Sequence, residues 1–367
     1  MSQSNVALML ESEGPGGAEV VVLHLAEELR RRGHGVVPVI LTRAPGPGWF
    51  EQECITRGFA PERIGIRGAI DVQCLRAIVA MLHRRRATAV HSHEFGMAVY
   101  GTAACRILRL PHVITMHGNM WMTNALRRRA LLRWAFRRSV TTAVSEDTRR
   151  HLIRTLGIPD SRVRTVLNGV PEVAGDRHKL RKELGLADDV VLLTAVGNLI
   201  ERKGHAFLIR ALALVATRVP EADWHLAIAG EGVERPRLEA LAHANGIAAR
   251  VHLLGHRRDV ADVLASSCVF VMPSIWEGLP LAVLEAMFAG TAVVASNISG
   301  IPEVIEDGVN GLLVAPGEVE ALANALQSLI SDRARRKQFG EAARATARER
   351  LSVSAMTAQY ESLYRSD

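Results

Sequence analysis

Short apolar runs that are rich in β-branched residues recur along the chain, and each is followed by a turn and a helical pattern. Val6–Leu10 precedes a glycine-rich turn and a helix, and Cys268–Met272 precedes Pro273 and another helical stretch. Runs of this length that alternate with helices predict buried parallel strands in an α/β sheet. Because the alternation forms two blocks, the sequence predicts two doubly wound, Rossmann-like domains that face each other across a cleft.

A polar stretch after Pro171 separates the two blocks. We predict an N-terminal domain over residues 1–171 and a second domain over residues 172–351. A C-terminal helix over residues 352–367 is expected to return to the first domain. The chain has 367 residues, which is enough for two domains of ordinary size.

Charge is distributed unevenly between the two halves. Residues 1–172 contain 24 arginines, no lysine and 14 acidic side chains, whereas the remainder carries a small negative excess. A basic half of this kind can contact nucleic acid, an anionic membrane or a phosphorylated acceptor. Because aromatic residues make up only 4% of the chain and no nucleic-acid-binding motif is present, we expect no nucleic-acid partner.

Three features indicate the compartment. No apolar run approaches the roughly 20 residues that span a bilayer, and the first residues lack the basic start and apolar core of a signal peptide. The four cysteines have neither metal-binding nor redox spacing, which is typical of reduced thiols. The sequence therefore predicts a cytoplasmic protein, with peripheral contact to the inner face of the membrane as an extension of that prediction.

Two glutamates flank the turn after Cys268–Met272. Glu277 lies in the turn, and Glu285 falls about one turn into the following helix. Ligands of open α/β sheets bind at the carboxyl ends of the strands, where amides of a helix N-terminus can bind phosphate. A carboxylate suits a vicinal diol, so one glutamate could hold a ribose and the other a hexose. Solvated helix charges are the alternative, but the apolar neighbours of Glu285 favour a binding role.

The spacing from Glu277 to Glu285, with Gly278 after the first and Ala286-Met287 after the second, resembles the signature of retaining glycosyltransferases of family 4, which have the GT-B fold. This resemblance implies that Glu277 contacts the transferred sugar and that Glu285 binds the nucleotide ribose. It further implies that backbone amides after Glu277 bind sugar and diphosphate, namely those of Gly278, Leu279, Leu281 and Ala282. Pro280 stands where many members have glycine, and it offers no N–H.

The segment Gly197–Gly204 resembles the loop with which this family binds the diphosphate. Lys203 matches the family's lysine, whereas Asn198 replaces its usual arginine, and Arg202 is the candidate for the missing charge. Such cations neutralise a leaving diphosphate where no metal is bound. The strand Trp224–Ala229 ends in a glycine turn that is expected to face the cleft, so Gly230 and Glu231 are further donor-binding candidates. The segment Val251–Val260 resembles the family segment whose backbone contacts the base, which implies donor-binding positions at His256 and Arg257.

In the first domain, Gly16 and Gly17 resemble the family's glycine loop, which approaches the donor sugar. A tight turn with positive φ would also account for Gly16. His117 follows the strand His112–Met116, where the family commonly places a histidine near the sugar hydroxyls, so we count it among the catalytic candidates. His91 and His93 share one face of a strand but lack a third ligand, so we predict no metal site.

Asn124–Arg138 is predicted to form a helix in which Leu126, Ala130, Trp134 and Arg137 share one face. Its six arginines and one tryptophan fit a helix that lies on anionic lipid. A core-packed helix with a solvated basic face is an equal alternative.

These motifs predict the transfer of a hexose-type sugar from a nucleotide diphosphate sugar, with UDP favoured, to an acceptor hydroxyl. The resemblance implies retention of configuration without a metal or another cofactor. A lipid-linked or otherwise anionic acceptor would suit the basic first half, and it would suit the synthesis of cell-surface polysaccharide or glycolipid. A nucleotide-sugar-binding regulator without turnover is the alternative, because Asn198 and Pro280 depart from the pattern. A dinucleotide oxidoreductase is less well supported, because the glycine fingerprint is incomplete.

Overall fold

The computed structural model describes residues 4–12, 14–43, 46–68, 71–118 and 126–365. It consists of two compact units. The first comprises Met1–Val170 together with Val353–Asp367, and the second comprises Pro171–Ser352. Each unit has its own sheet and its own hydrophobic core.

A parallel sheet forms the centre of the first unit. Its strands are β1 (Asn5–Glu11), β2 (Gly35–Thr42), β3 (Glu62–Gly65), β4 (Ala89–His93), β5 (His112–Met116), β6 (Val140–Ala143) and β7 (Val163–Thr165). Among the described residues the order is β3-β2-β1-β4-β5-β6-β7, with parallel pairing throughout. The direction of winding therefore reverses between β1 and β4. In such sheets this switch point is the usual place for a ligand, beyond the carboxyl ends of the strands.

Helices cover the strands of this sheet. They are α1 (Gly17–Arg31), α2 (Trp49–Thr56), α3 (Val72–Arg84), α4 (Glu94–Leu108), α5 (Leu126–Phe136) and α6 (Glu146–Leu156). Strand β4 is buried along its whole length, as expected for a strand that is covered on both faces. The predicted strand His112–Met116 has the same bounds in the structure.

The helix predicted over Asn124–Arg138 is α5, and Asn124 lies outside the described residues. The residues that were predicted to share one face are not the buried face of this helix. Leu126 is 83% exposed, whereas Leu132, Ala135 and Phe136 are buried and pack into a core cluster of the first unit. Positions i, i+3 and i+4 share a face of a helix, so α5 turns this stripe toward the sheet and most of its arginines toward solvent.

The second unit is also built on a parallel sheet. Its strands are β8 (Val191–Val196), β9 (Trp224–Ala229), β10 (Val251–Gly255), β11 (Val269–Met272), β12 (Ala292–Ser296) and β13 (Leu312–Val314). Within the described part of the chain their order is β10-β9-β8-β11-β12-β13, so the winding reverses between β8 and β11. Its helices are α7 (Lys179–Glu183), α8 (His205–Arg218), α9 (Arg235–Ala244), α10 (Val260–Ser266), α11 (Leu281–Ala289), α12 (Val319–Ser331) and α13 (Arg333–Arg350).

The final helix, α14 (Val353–Leu363), belongs to the first unit and packs on α1. Glu361 on α14 joins two side chains near the end of α1: its Oε2 atom lies 2.6 Å from Arg32 Nη1, and its Oε1 atom lies 2.7 Å from His34 Nε2. These charge-assisted contacts tie α14 to the amino-terminal part of the chain.

No helix within the described residues combines the length and the apolar character needed to cross a membrane. The two doubly wound α/β sheets confirm the predicted fold class.

Candidate active site

The loops after β8 and β9 meet at the carboxyl edge of the second sheet. A Cβ atom on Gly230 would lie 1.9 Å from the carbonyl oxygen of Gly197, so only glycine allows this approach. The Leu199 amide also donates a hydrogen bond to the Glu231 carbonyl oxygen at 2.8 Å. The sequence folds this way because each strand ends at a glycine that permits the next turn to pass closely.

The loop after β11 joins them through a charged cluster. Lys203 Nζ lies 2.6 Å from Glu277 Oε1, which also accepts a hydrogen bond from the Ser274 hydroxyl at 2.9 Å. Arg202 Nη1 lies 3.6 Å from Glu277 Oε2, and the Ile275 amide donates to the Arg202 carbonyl oxygen at 2.8 Å. Glu277 is only 6% exposed. The buried carboxylate is therefore neutralised by two cations from one loop, as a buried charge requires.

The lysine lies against the first glycine of its own loop. A Cβ atom on Gly197 would lie 3.4 Å from Lys203 Cε and 3.6 Å from its Nζ. The Arg202 guanidinium is 5.6 Å from the centre of the Trp276 ring. Both cations are thus held at the carboxyl ends of β8 and β11, the switch point of this sheet.

Helix α11 begins directly beyond the cluster. Pro280 is its N-cap with an extended ψ of 126°, and the amides of Leu281 and Ala282 fall in the first turn, where helical N–H groups have no partner within the helix. The Gly278 carbonyl oxygen accepts a hydrogen bond from Gly300 at 2.9 Å, and Leu279 is buried. The helix ends at Gly290, which has a φ of 73°.

Glu285 lies one turn into α11. Its neighbours Leu284 and Ala286 are buried, and burial raises the pKa of Glu285 to about 7. Among the described residues it has no ion-pair or hydrogen-bond partner. A desolvated carboxylate without a partner is suited to accept hydrogen bonds from a ligand.

The other predicted donor residues lie outside this cluster of contacts. Asn198 and His256 are exposed, and the Glu231 carboxylate pairs with Arg235 at 3.1 Å. The guanidinium of Arg257 is engaged by Glu183 and Asp259, each through two hydrogen bonds. The geometry gives Arg257 a structural role between α7 and the start of α10.

In the first unit, three histidines line up at the carboxyl ends of β4 and β5. His91 stacks on His93 at a ring separation of 4.2 Å, and His93 stacks on His117 at 5.2 Å. His93 Nδ1 lies 2.9 Å from His117 Nε2. His91 is held by the Tyr364 hydroxyl and by Thr115, each at 2.7 Å.

Glu94 anchors the end of this row. Its carboxylate accepts a hydrogen bond from the His117 amide at 2.8 Å, and its φ of 66° is unusual for a residue other than glycine. Burial raises the pKa of Glu94 to about 7 and lowers that of His117 to about 4. His117 is therefore a neutral hydrogen-bonding group at neutral pH.

Gly16 and Gly17 open α1 at the end of β1. Gly16 is the N-cap and has a φ of −146°, so the suggestion that it needs a positive φ was wrong. A Cβ atom at Gly16 would lie 2.6 Å from Glu19 Oε2. The Ser12 hydroxyl donates to the other oxygen of that carboxylate at 3.1 Å.

Comparison with known proteins identifies the family. Residues 15–172 match the family model described as Glycosyltransferase Family 4, and residues 176–346 match that of Glycosyl transferases group 1. The alpha-maltose-1-phosphate synthase of Mycolicibacterium smegmatis is 30% identical over 98% of each chain. The chain belongs to glycosyltransferase family 4.

Two further proteins are similar to this glycosyltransferase, one in sequence and one in structure. The UDP-Gal:alpha-D-GlcNAc-diphosphoundecaprenol alpha-1,3-galactosyltransferase of Escherichia coli is 27% identical over 72% of this chain and 71% of its own. The crystal structure of Anabaena HepE in complex with UDP matches with a TM-score of 0.85 over 98% of both chains at 24% identity. The fold of this glycosyltransferase is GT-B.

Sequence reasoning singled out Lys203, Arg202 and Glu277 one by one but missed their mutual contact and Ser274. Sequence reasoning also did not single out Glu94 or His205, which the structure places beside His117 and Lys203 respectively. His205 is buried at the start of α8, where burial and then the charge of Lys203 lower its pKa to about 4. Among the described residues, no three His, Cys, Asp or Glu side chains are grouped so that they could hold a metal ion.

Proposed function

We propose that this glycosyltransferase moves a hexose from a UDP-sugar to an acceptor hydroxyl with retention of configuration. The observation that carries the proposal is the cluster of Lys203, Arg202 and Glu277 at the switch point of the second sheet. Two cations and a carboxylate match a substrate in which a diphosphate and a polyhydroxylated sugar are adjacent. The names of the similar proteins, which mention UDP and UDP-Gal, favour uridine as the base.

In this proposal the cations stabilise the departing diphosphate. Negative charge develops on the leaving phosphate as the glycosidic bond breaks, and fixed cations in a site with little water stabilise it strongly. Lys203 and Arg202 supply that charge from the chain itself, so the proposed reaction needs no metal ion. The first-turn amides of Leu281 and Ala282 add the positive end of the α11 dipole.

The two glutamates divide the remaining contacts. Glu285, which has no partner among the described residues, accepts hydrogen bonds from the ribose diol. Glu277 orients Lys203 before the donor arrives and then shares hydrogen bonds with the sugar hydroxyls. The leaving phosphate takes the acceptor proton on the same face, which is the family's usual account of retention. His117, neutral at pH 7 because burial lowers its pKa, serves as a hydrogen-bonding partner for the sugar.

The acceptor is proposed to carry an anionic group. The similar proteins named above have maltose 1-phosphate and diphosphoundecaprenol in their names, and both molecules are anionic. The excess of arginine in residues 1–172 favours the same chemistry through long-range attraction. A lipid-linked acceptor would bring the enzyme to a membrane surface, with the exposed arginines and Leu126 of α5 as the contact, and would place it in polysaccharide or glycolipid synthesis.

Nucleotide-dependent thermal stabilisation tests the donor site. We expect UDP, and not GDP, ADP or dTDP, to raise the unfolding midpoint of the wild type, because a ligand that binds only the native state stabilises it by mass action. Glu285→Ala should abolish that shift, whereas Glu239→Ala, on the exposed surface of α9, should keep it. A shift that survives Glu285→Ala would overturn the ribose assignment.

The regulator without turnover is the second candidate, and the exposed Asn198 in place of the family's arginine favours it. It predicts UDP binding without any release of UDP from UDP-sugars. A coupled assay for UDP release, with the purified chain and a panel of UDP-sugars, separates the two candidates.

A further inference from the structure

A cavity of about 340 Å³ lies in the first unit, beside the amino-terminal ends of β5 and β6. His112, the first residue of β5, and Ser139, which directly precedes β6, line it together with Thr102 from α4. His117 follows the opposite end of β5. The cavity is therefore on the other edge of the sheet from the histidine row, and it is not part of the proposed donor site.

The floor of the cavity is a buried polar network. His112 Nδ1 lies 2.7 Å from the Ser139 hydroxyl, and His112 Nε2 lies 2.8 Å from the Ser92 hydroxyl. Thr102 Oγ1 lies 3.2 Å from both His112 Nδ1 and Ser139 Oγ. A Cβ atom on Gly101 would lie 2.7 Å from His112 Nε2. The ring therefore fits under α4 because that position is glycine.

Three arginines line the cavity around this floor. They are Arg106 and Arg109 at the end of α4 and Arg138 after α5, and all three are exposed. None of the described residues that line the cavity carries a carboxylate. Within the described part of the chain, neither Arg106 nor Arg109 has an ion-pair partner.

The proton arrangement allows the floor to donate a hydrogen bond into the cavity. The Thr102 hydroxyl donates its hydrogen bond to the Ala98 carbonyl oxygen at 2.7 Å, so Thr102 Oγ1 can only accept hydrogen bonds from its other neighbours. Burial lowers the pKa of His112 to about 3, so the ring is neutral and has one N–H. With that proton on Nδ1, His112 donates to Ser139. The Ser139 hydroxyl can then rotate from the Thr102 oxygen, which accepts from it at 3.2 Å, to donate to a ligand instead. A ring this weakly basic is a poor general base, which argues against a nucleophilic serine.

We propose that this cavity binds the phosphoryl group of a small phosphorylated molecule. The planar fork of an arginine matches two oxygens of a phosphate. Arg106 and Arg109 line the cavity without an ion-pair partner among the described residues, and Arg138, whose Nη1 also donates to the Trp134 carbonyl oxygen at 3.2 Å, is the third lining arginine. The volume of the cavity leaves room for a small organic substituent on the phosphate. The same chemistry occurs in a phospholipid headgroup, but the buried hydroxyl groups of the floor commit us to the soluble ligand.

Calorimetric titration of the full chain with inorganic phosphate and with glycerol 3-phosphate tests the proposal. Arg106→Gln/Arg109→Gln should weaken binding at least about tenfold, because a hydrogen bond to a charged group contributes about 1.5–3 kcal/mol and 1.4 kcal/mol corresponds to tenfold. Ser139→Ala, which keeps every charge, should weaken it by a smaller factor. The matched control is Arg76→Gln/Arg164→Gln, which removes the same charge from exposed positions outside the cavity, and it should bind as the wild type does.

Two further experiments distinguish phosphate binding in this cavity from binding at the proposed diphosphate site and from membrane binding. Lys203→Met, which disables the proposed diphosphate site, should keep phosphate binding here. Vesicles that contain phosphatidylglycerol should bind equally well to the cavity variant, Arg106→Gln/Arg109→Gln, and to the matched control, Arg76→Gln/Arg164→Gln. The proposal is overturned if the cavity variant binds phosphate as well as the control, if Lys203→Met abolishes binding, or if vesicles bind through Arg106 and Arg109 while neither soluble phosphate binds.

Discussion

Lys203 Nζ lies 2.6 Å from Glu277 Oε1, although the two residues are 74 positions apart in the sequence. Lys203 lies in the loop that follows β8, and Glu277 lies in the loop that follows β11. Because these two strands pair in parallel, the two loops are adjacent and the residues come into contact. The contact is thus a consequence of sheet topology, and it couples folding of the second unit to the proposed chemistry.

Removing either partner of this contact should be costly. We expect Lys203→Met to lower the free energy of unfolding by about 3 kcal/mol, because it leaves a buried carboxylate short of a counter-charge. The double variant Lys203→Met/Glu277→Gln should recover part of that loss. Urea denaturation of the wild type, both single variants and the double variant measures the coupling energy, and additive losses would contradict the contact.

The same substitution should affect turnover more than it affects nucleotide binding. Loss of one group that stabilises developing charge reduces kcat by about 10²–10³-fold, and we expect a reduction of this order for Lys203→Met in UDP release from the active UDP-sugar. Lys337→Met, at an exposed position on α13, is the matched control. An unchanged kcat in Lys203→Met would remove the lysine from the catalytic group.

The close approach of the loops after β8 and β9 predicts a steric effect. Gly230→Ala should lower the free energy of unfolding by more than about 2 kcal/mol, because the new methyl group would overlap the Gly197 carbonyl. Gly246→Ala is the matched control, since Gly246 has a φ of 72° but open space around it, so it reports backbone strain of about 1 kcal/mol alone. Equal losses in the two variants, measured by urea denaturation, would show that the overlap is relieved.

The pKa of Glu285 predicts the pH dependence of both binding and stability. Burial raises the pKa of this carboxyl to about 7, so the native state holds a proton that the unfolded chain releases near pH 4.5. Its contribution to stability therefore falls as pH rises from about 4.5 to 7. UDP affinity should change in the opposite direction, rising with pH as the carboxylate forms and accepts from the ribose. Glu285→Gln should flatten both profiles, and a wild-type pH profile of UDP affinity that Glu285→Gln leaves unaltered would contradict the assignment.

Buried histidines predict acid sensitivity of the first unit. Burial lowers the pKa of His24 and His117 to about 4 and that of His112 to about 3, and it lowers those of His91 and His93 well below 6.5. The unfolded state then binds more protons than the native state below pH 6.5. Each such histidine removes up to about 1.4 kcal/mol of stability per pH unit as pH falls toward 4.

Opposing carboxyls do not cancel this effect. Glu19 and Glu94, whose pKa values are raised by burial, have the opposite sign but are fewer. Hydrogen exchange as a function of pH should show protection lost in the first unit between pH 6.5 and 5, and His24→Gln should reduce the slope. His256→Gln, at an exposed position of the second unit, should leave the slope unchanged. Uniform protection across this range would contradict the prediction.

Local patterns in the sequence were sufficient for the elements that form the site. The strand before Pro273, the turn at Glu277 and the helix that ends at Gly290 each follow from short-range signals. A β-branched run favours a strand, proline ends it, and glycine permits the positive φ at which the helix stops. The structure has β11 at Val269–Met272, one residue shorter than the predicted Cys268–Met272, and it has α11 at Leu281–Ala289 with Glu285 about one turn into it, as predicted.

Contacts between distant segments could not be predicted in this way. The pairing of Lys203 with Glu277 depends on strand order, which no local signal specifies. The buried face of α5 could not be assigned from the sequence, because leucines, alanines and arginines are interspersed around that helix and more than one stripe fits the spacing. The role of Tyr364 at His91 was also out of reach, since it depends on where α14 packs.

The most direct test of the central claim is the configuration of the sugar that the enzyme releases from UDP-glucose, UDP-galactose or UDP-N-acetylglucosamine in water. Proton NMR of the anomeric signals, recorded before mutarotation, measures this configuration. The Lys203→Met variant is the control for release that does not depend on the proposed site. The account predicts that the α-anomer appears first and that its release depends on Lys203. Early appearance of the β-anomer would contradict retention, and absence of cleavage of all three donors despite UDP binding would favour the regulator.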